Sequence, residues 1–254
     1  MKAFARSGVH GTSAITAITA QNTLGVSAIH QVPGEIVLAQ VRAVLSDIRV
    51  DAVKVGMLGS AEVVLAVAEA LDELPSGTPV VVDPVMVAES GARLLAPAAE
   101  DALVREILPR TSVLTPNLAE ALALAGERAG PATAPAGEGA RVRALALAVL
   151  SLGPSVVVLT GGHRALAIDL FVDSSGEGSL VEIEGERHPD GAAHGSGCTH
   201  SSLLAAQLAL GRTPLEAARV ARALSGEAVA RGLRDIGAGA GPVDVLDLAS
   251  MRAR

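Results

Sequence analysis

TPVVVDPVMV, residues 78–87, is the stretch from which the fold can be read. After Pro79 it is β-branched and apolar through Val82, with none of the polar alternation of a strand that faces water on one side. Pro79–Val82 is therefore expected to be a short strand buried on both faces. Asp83 and Pro84 stop it. A carboxylate at the end of such a strand lies where parallel-sheet proteins place their binding crevices. Taken alone, Asp83 could equally serve an Asx-type turn.

The same pattern recurs outward from this run. Ser13–Thr19, Ala52–Val55, Ser112–Leu114 and Ser155–Leu159 read as further strands. Between them lie helical periods at Gly34–Ile48, Ala61–Leu71, Pro97–Leu108, Leu118–Ala125 and Ala140–Leu150. In the first helix Ile36, Ala39, Ala43 and Val44 make an apolar stripe, with Glu35, Gln40 and Asp47 outside it. Strands alternating with helices predict an α/β fold: a mostly parallel central sheet with helices on both faces. After Thr160 the rhythm changes. Ala167–Val172 and Leu180–Glu184 predict a small hairpin, and two helices, about Cys198–Leu210 and Pro214–Gly232, close the chain. Residues 126–139 (GERAGPATAPAGEG) read as a flexible loop inside one domain spanning 1–254.

Composition narrows the classes. Half of the 254 residues are hydrophobic, yet Phe4 and Phe171 are the only aromatics, so the core is aliphatic. The net charge is −7 without a basic run, which argues against nucleic acid as partner. No apolar stretch reaches the roughly 18 residues of a membrane helix. Cys198 is the only cysteine, which excludes an intrachain disulfide and suits a reducing cytoplasm.

Several chemical motifs are missing, among them a Walker-type phosphate loop and the His-Glu-x-x-His zinc pair. Gly195-Ser-Gly-Cys-Thr-His200 nearly matches a dinucleotide fingerprint, but its third glycine is His200 and it lies near the C-terminus. The same segment ends a polar loop and opens an apolar helix. There Gly195, Ser196, Gly197 and Cys198 would offer backbone N–H groups and helix-end potential to an anion. A cysteine at that position has its thiolate favoured; the plain alternative is a small buried side chain after a turn. Thr115-Pro-Asn-Leu-Ala-Glu120 likewise has two readings. Asn117 and Glu120 form a capping box, or their oxygens face a metal–phosphate group directly or through water. Gln21-Asn-Thr23, Gly56–Gly59 and Gly161-Gly-His163 add three more motifs at strand ends. Five such motifs point to one ligand-binding edge.

The ordered set AITAQNT (17–23), KVGML (54–58), VVVDPVMVAESG (80–91), LTPNLAEA (114–121), LTGGH (159–163), HGSGCT (194–199) and GAGAGPVD (237–244) resembles the hydroxymethylpyrimidine/phosphomethylpyrimidine kinases of the ribokinase superfamily. The match is collinear over nearly the whole chain. It implies a ribokinase-like αβα sandwich, ATP and Mg²⁺ as cofactors, and phosphorylation of hydroxymethylpyrimidine and its monophosphate to the diphosphate for thiamine. Cys198 would take the hydroxyl proton, with Gly195, Ser196 and Gly197 around the transferred phosphoryl. Gln21, Met57 and Val85 would hold the pyrimidine. Asp83, Asn117, Glu120, Thr160, Gly162 and Arg222 would serve ATP and its phosphates, and Asn117 and Glu120 the Mg²⁺. The partners implied are the small pyrimidine and ATP, without nucleic acid or membrane; a homodimer stays open.

Three departures from the family pattern stand out. The family begins with a central strand and a glycine-rich pyrimidine loop, which are expected upstream of Met1. Thr160 and Glu89 replace lysines of the family; Arg93 or Arg222 would then supply the missing charge. Two alternatives remain: a pyridoxal-type kinase, and a ligand-binding remnant with impaired catalysis.

Overall fold

The computed structural model describes residues 1–87, 94–126, 137–161, 167–174, 180–189 and 191–252. Gly162, Glu89, Arg93 and residues 127–136 of the expected loop lie outside the described residues.

Among the described residues six strands form the main sheet: β3 (Val53–Val55), β4 (Val80–Val82), β5 (Val113–Leu114), β6 (Val156–Leu159), β7 (Ile168–Asp173) and β8 (Leu180–Glu184), in that spatial order. β3 to β6 run parallel, while β7 and β8 add an antiparallel hairpin at one edge, with Phe171 opposite Val181. The unbroken apolar runs are explained by burial on both faces. Val80 and Val82 point into one core, with α3 (Ala61–Asp72), Leu103, Ile107 and α6 (Glu138–Leu150). Val81 points into the other, with Phe171, Leu203 and Leu204. The result is a helix–sheet–helix sandwich with a mostly parallel sheet, as the alternation of runs requires.

The second core is closed by α7 (Ser196–Ala209) and α8 (Pro214–Ala230). α8 starts with a capping box, Thr213 and Glu216, and has Pro214 in its first turn, where proline costs no hydrogen bond. Leu204 of α7 is fully buried beneath the sheet. Leu204→Ala should cost about 2–5 kcal/mol in a denaturant titration. A cost under about 1 kcal/mol would show that this face is loosely packed.

The first expected strand needs correction. Residues 13–16 are not strand, and the strand found, β1 (Ala17–Gln21), lies outside the main sheet. It pairs antiparallel with β2 (Val26–Gln31) in a separate two-stranded sheet. The cause is the turn between them. Asn22 Oδ1 accepts the N–H groups of Leu24 and Gly25, an Asx turn that reverses the chain. The helix expected at 97–108 is also subdivided. α4 (Pro97–Ala102) widens to a π-turn at Leu103–Ile107 and ends in a 3₁₀ turn containing Pro109. Two short helices, α1 (Lys2–Arg6) and α9 (Leu248–Arg252), were not expected from the sequence. α2 (Gly34–Leu45) and α5 (Leu118–Ala125) complete the helices used below.

Candidate active site

Parallel strands β3, β4 and β5 all end at one edge of the sheet, and α7 begins over the same edge. Side chains of β3, the end of β4 and α7 meet there. Lys54 is inside β3 and Asp83 follows β4. Lys54 Nζ lies 3.5 Å from Asp83 Oδ2, the two side chains being 14% and 8% exposed. Ser201, in the second turn of α7 and fully buried, places its Oγ 2.9 Å from the same carboxylate oxygen. This bond and the ion pair hold the end of β4 against α7. Cys198 lies one turn earlier on α7.

Cys198 is exposed. Even so, the protein crowded around its sulfur raises the thiol above its ordinary pKa; Asp83 and Glu120 add to the rise and Lys54 opposes it. Burial of the sulfur, to which the Asp83 and Glu120 carboxylates add, thus works against the thiolate that the helix end favours. Gly195 is the N-cap of α7 at φ +82°, a left-handed conformation that suits glycine. Ser196 N–H is already donated to Ala193 O at 2.9 Å. The N–H groups of Gly197 and Cys198, in the opening turn of the helix, are the ones free of an intrahelical acceptor and available to an anion.

Glu120 sits in the first turn of α5. Both readings of its motif meet in the geometry. Asn117 Oδ1 accepts Glu120 N–H and Glu120 Oε2 accepts Asn117 N–H, each at 2.9 Å, so the capping box exists. The carboxyl is also pushed up to about 7: burial is the main cause and the Asp83 charge adds to it, against the backbone N–H groups of Asn117 and Met86 and the Lys54 charge. A carboxyl raised mainly by burial, and further by a second carboxylate, is relieved by an added cation. The oxygens of Asp83 and Glu120 thus suit a hard cation such as Mg²⁺. Among the described residues no group of three His, Cys, Asp or Glu side chains forms a metal centre. Asn117 Oδ1 is engaged as the cap.

The raised value has a sign that can be tested. A carboxyl with folded pKa near 7 and unfolded pKa near 4.5 binds its proton more tightly when folded. Its ionisation therefore costs stability as pH rises from about 4.5 to about 7, and the cost is absent below that window. Glu120→Gln keeps an oxygen acceptor for Asn117 N–H. Relative to wild type it should gain stability at pH 8 but not at pH 4.5, read by urea titration at both. Equal differences at the two pH values would show that Glu120 titrates as an ordinary surface carboxyl.

The remaining expected residues fall in three places. Met57 and Val85 are half-buried at the ends of β3 and β4, close to the cluster in sequence and fold. Thr160 closes β6. Its N–H and hydroxyl both turn to Pro116 O, at 2.9 and 3.4 Å, so the side chain is committed to the β5–α5 loop. Gln21 is exposed on the two-stranded sheet. That sheet's turn is tied to the site indirectly: Gly239 N–H donates to Thr23 Oγ1, and His194 N–H donates to Gly241 O just before the Gly195 cap. Arg222 departs from its expected role. Its guanidinium donates to Ala167 O at 2.5 Å and lies 3.9 Å from Asp169, at the β7 side of the sheet. It is engaged in protein contacts and is not placed among the site carboxylates. Lys54 was not singled out from the sequence as a site residue. Its signal was there: one of only two lysines, set inside an apolar strand.

Comparison with known proteins gives these features a family. The profile of a family described as phosphomethylpyrimidine kinase matches residues 1–244. A hydroxymethylpyrimidine/phosphomethylpyrimidine kinase from Rhizobium meliloti (strain 1021) is 44% identical, covering 96% of this chain and 88% of that one. One from Streptomyces coelicolor is 42% identical over 93% of this chain and 84% of the relative. Among solved structures, a phosphomethylpyrimidine kinase from Clostridium difficile 630 has TM-score 0.71 and 34% identity, covering 87% of both chains. A pyridoxal kinase from Staphylococcus aureus in complex with AMP-PCP and pyridoxal has TM-score 0.81 and 28% identity, covering 96% of this chain and 85% of that one.

Proposed function

The chain belongs to the phosphomethylpyrimidine kinase family, and on that premise we propose that it transfers the γ-phosphoryl group of ATP to hydroxymethylpyrimidine and then to the monophosphate. The product is the diphosphate used in thiamine biosynthesis. One observation carries the placement of the chemistry on this chain. Cys198, at the opening of a helix, shares one sheet edge with Lys54, Asp83 and Glu120.

The steps follow from that arrangement. The substrate hydroxymethyl oxygen attacks the γ-phosphorus, the bond to the β,γ-bridging oxygen breaks, and ADP leaves. The hydroxyl proton passes to Cys198 in its thiolate form, which becomes the thiol. In the second transfer an oxygen of the new monophosphate attacks another γ-phosphorus, giving the diphosphate and a second ADP. The Gly197 and Cys198 N–H groups would donate to the transferred oxygens, so that charge develops against fixed donors. Mg²⁺ held through Asp83 and Glu120 would neutralise ATP phosphate charge and offset the part of the Cys198 rise that these carboxylates contribute. The protein's part is mainly positioning and electrostatics.

The working thiol supports placement in a reducing compartment such as the cytoplasm. No helix of the described residues is long and apolar enough to cross a membrane. Exposed Ile18, Leu24 and Ile29 on the two-stranded sheet offer apolar surface that a homodimer would cover.

The pyridoxal kinase likeness makes pyridoxal the competitor to exclude. Both substrates carry a hydroxymethyl group on an aromatic nitrogen heterocycle. The kcat/KM values for hydroxymethylpyrimidine, its monophosphate and pyridoxal should rank the two pyrimidines above pyridoxal. A higher value for pyridoxal would overturn the substrate assignment and keep the kinase.

A further inference from the structure

A second cluster of charged and polar groups lies beside the β6–β7 connection, and the phosphoryl-transfer steps leave it unused. Asp169 of β7 is 1% exposed, His200 of α7 is 6% exposed and Arg222 of α8 is 12% exposed. His200 Nε2 lies 3.4 Å from Asp169 Oδ2, and Arg222 Nε lies 3.9 Å from the same oxygen. Burial would raise the Asp169 carboxyl, but His200, Arg222 and the Gly161 N–H outweigh it and hold the group below its ordinary value.

The cluster is poorly satisfied. Asp169 Oδ2, both ring nitrogens of His200 and Arg222 Nε are buried without a hydrogen-bond partner among the described residues. Half-satisfied buried charges are a weak source of stability, and apolar side chains of similar volume commonly serve a core better. What the cluster holds is more informative. Asp169 Oδ1 accepts the Gly161 N–H at 2.8 Å. Arg222 donates to Ala167 O at 2.5 Å and is covered by the bare backbone of Gly185. The end of β6 and the start of β7 are thus fastened by one charge cluster. Gly161 follows Thr160, which bridges to Asn117, the cap that places Glu120. His200 stands between Cys198 and Ser201 on α7, and Ser201 contacts Asp83.

We propose that Asp169, His200 and Arg222 are positioning residues that set Gly161 and Ala167 against the Cys198 helix and thereby tune nucleotide affinity. The inference rests on the kinase reading above, with ATP at this edge. None of the three touches a reacting atom. Their effect is on where the backbone at Gly161 stands relative to the phosphates. Disturbing such a support changes coupling by roughly 2- to 30-fold.

The test uses His200→Leu and Asp169→Asn in the full chain, with AMP-PCP affinity measured by calorimetry. Asn keeps an acceptor for Gly161 N–H, and Leu fills the imidazole space. Each should weaken AMP-PCP binding by roughly 2- to 30-fold and raise the KM for ATP equally. The KM for hydroxymethylpyrimidine and kcat should stay within about threefold. Wild-type AMP-PCP affinity in both variants would overturn the proposal and leave the cluster as core filling. A His200→Leu chain that fails to fold would also overturn it, because an essential structural role would then be shown. If Asp169→Asn alone fails to fold, His200→Leu decides. If wild type binds AMP-PCP without phosphorylating the pyrimidine, the kinase reading falls and the affinity comparison still judges this inference. If wild type binds no nucleotide, both fall.

Discussion

Cys198→Ala should lower turnover by about 10²- to 10⁴-fold while AMP-PCP affinity stays near wild type. The range follows from removing one positioned proton acceptor and leaving the helix-end N–H groups in place. Because the thiol is raised above its ordinary value, wild-type kcat should climb with pH through the neutral range and beyond, and this limb should vanish in the alanine variant. Alkylation of the single thiol should follow the same curve. Turnover of Cys198→Ala within threefold of wild type would remove the thiol from the chemistry. Loss of AMP-PCP binding along with turnover would place it in the nucleotide site instead.

The second large effect is on stability. Lys54→Met should destabilise the chain by about 3–5 kcal/mol, because Asp83 is then left as a buried charge without its cation. Lys54→Met combined with Asp83→Asn should recover a good part of that loss, since the unpaired charge disappears with its partner. The double-mutant cycle is read from urea midpoints and slopes. A loss under about 1 kcal/mol for Lys54→Met, or strict additivity of the two changes, would show that the 3.5 Å pair is energetically idle. Lys54 also opposes the rise of the Cys198 thiol, so its removal should move the alkylation curve to higher pH.

The sheet was legible from the sequence because its strands are buried on both faces, which leaves runs such as Val80–Val82 and Val156–Leu159 without polar alternation. The Asn117–Glu120 box was legible because capping depends on a fixed three-residue spacing. The β1–β2 hairpin was not. Its reversal rests on one Asx turn at Asn22, and its strands face solvent on both sides, so they carry no core pattern. The charge pairs escaped for another reason. Lys54 and Asp83 are joined only by the pairing of β3 with β4, and His200 and Asp169 only by the packing of α7 on the sheet. A charge inside an apolar strand, as at Lys54 in VKV and Asp169 in IDLFV, is nonetheless a sign that a partner will be found. The thiol showed the reverse problem. Its helix position argued for a thiolate, while the burial that raises it, and the carboxylates of β4 and α5 that add to the rise, come from tertiary packing.

The account stands or falls on the identity of the product. The purified chain, supplied with ATP, Mg²⁺ and hydroxymethylpyrimidine, can be followed by phosphorus NMR. The monophosphate resonance should appear first, then the two resonances of the diphosphate, with two ATP converted to ADP for each pyrimidine consumed. Formation of ADP and inorganic phosphate alone, or an unchanged ATP spectrum beside a folded protein, would contradict it.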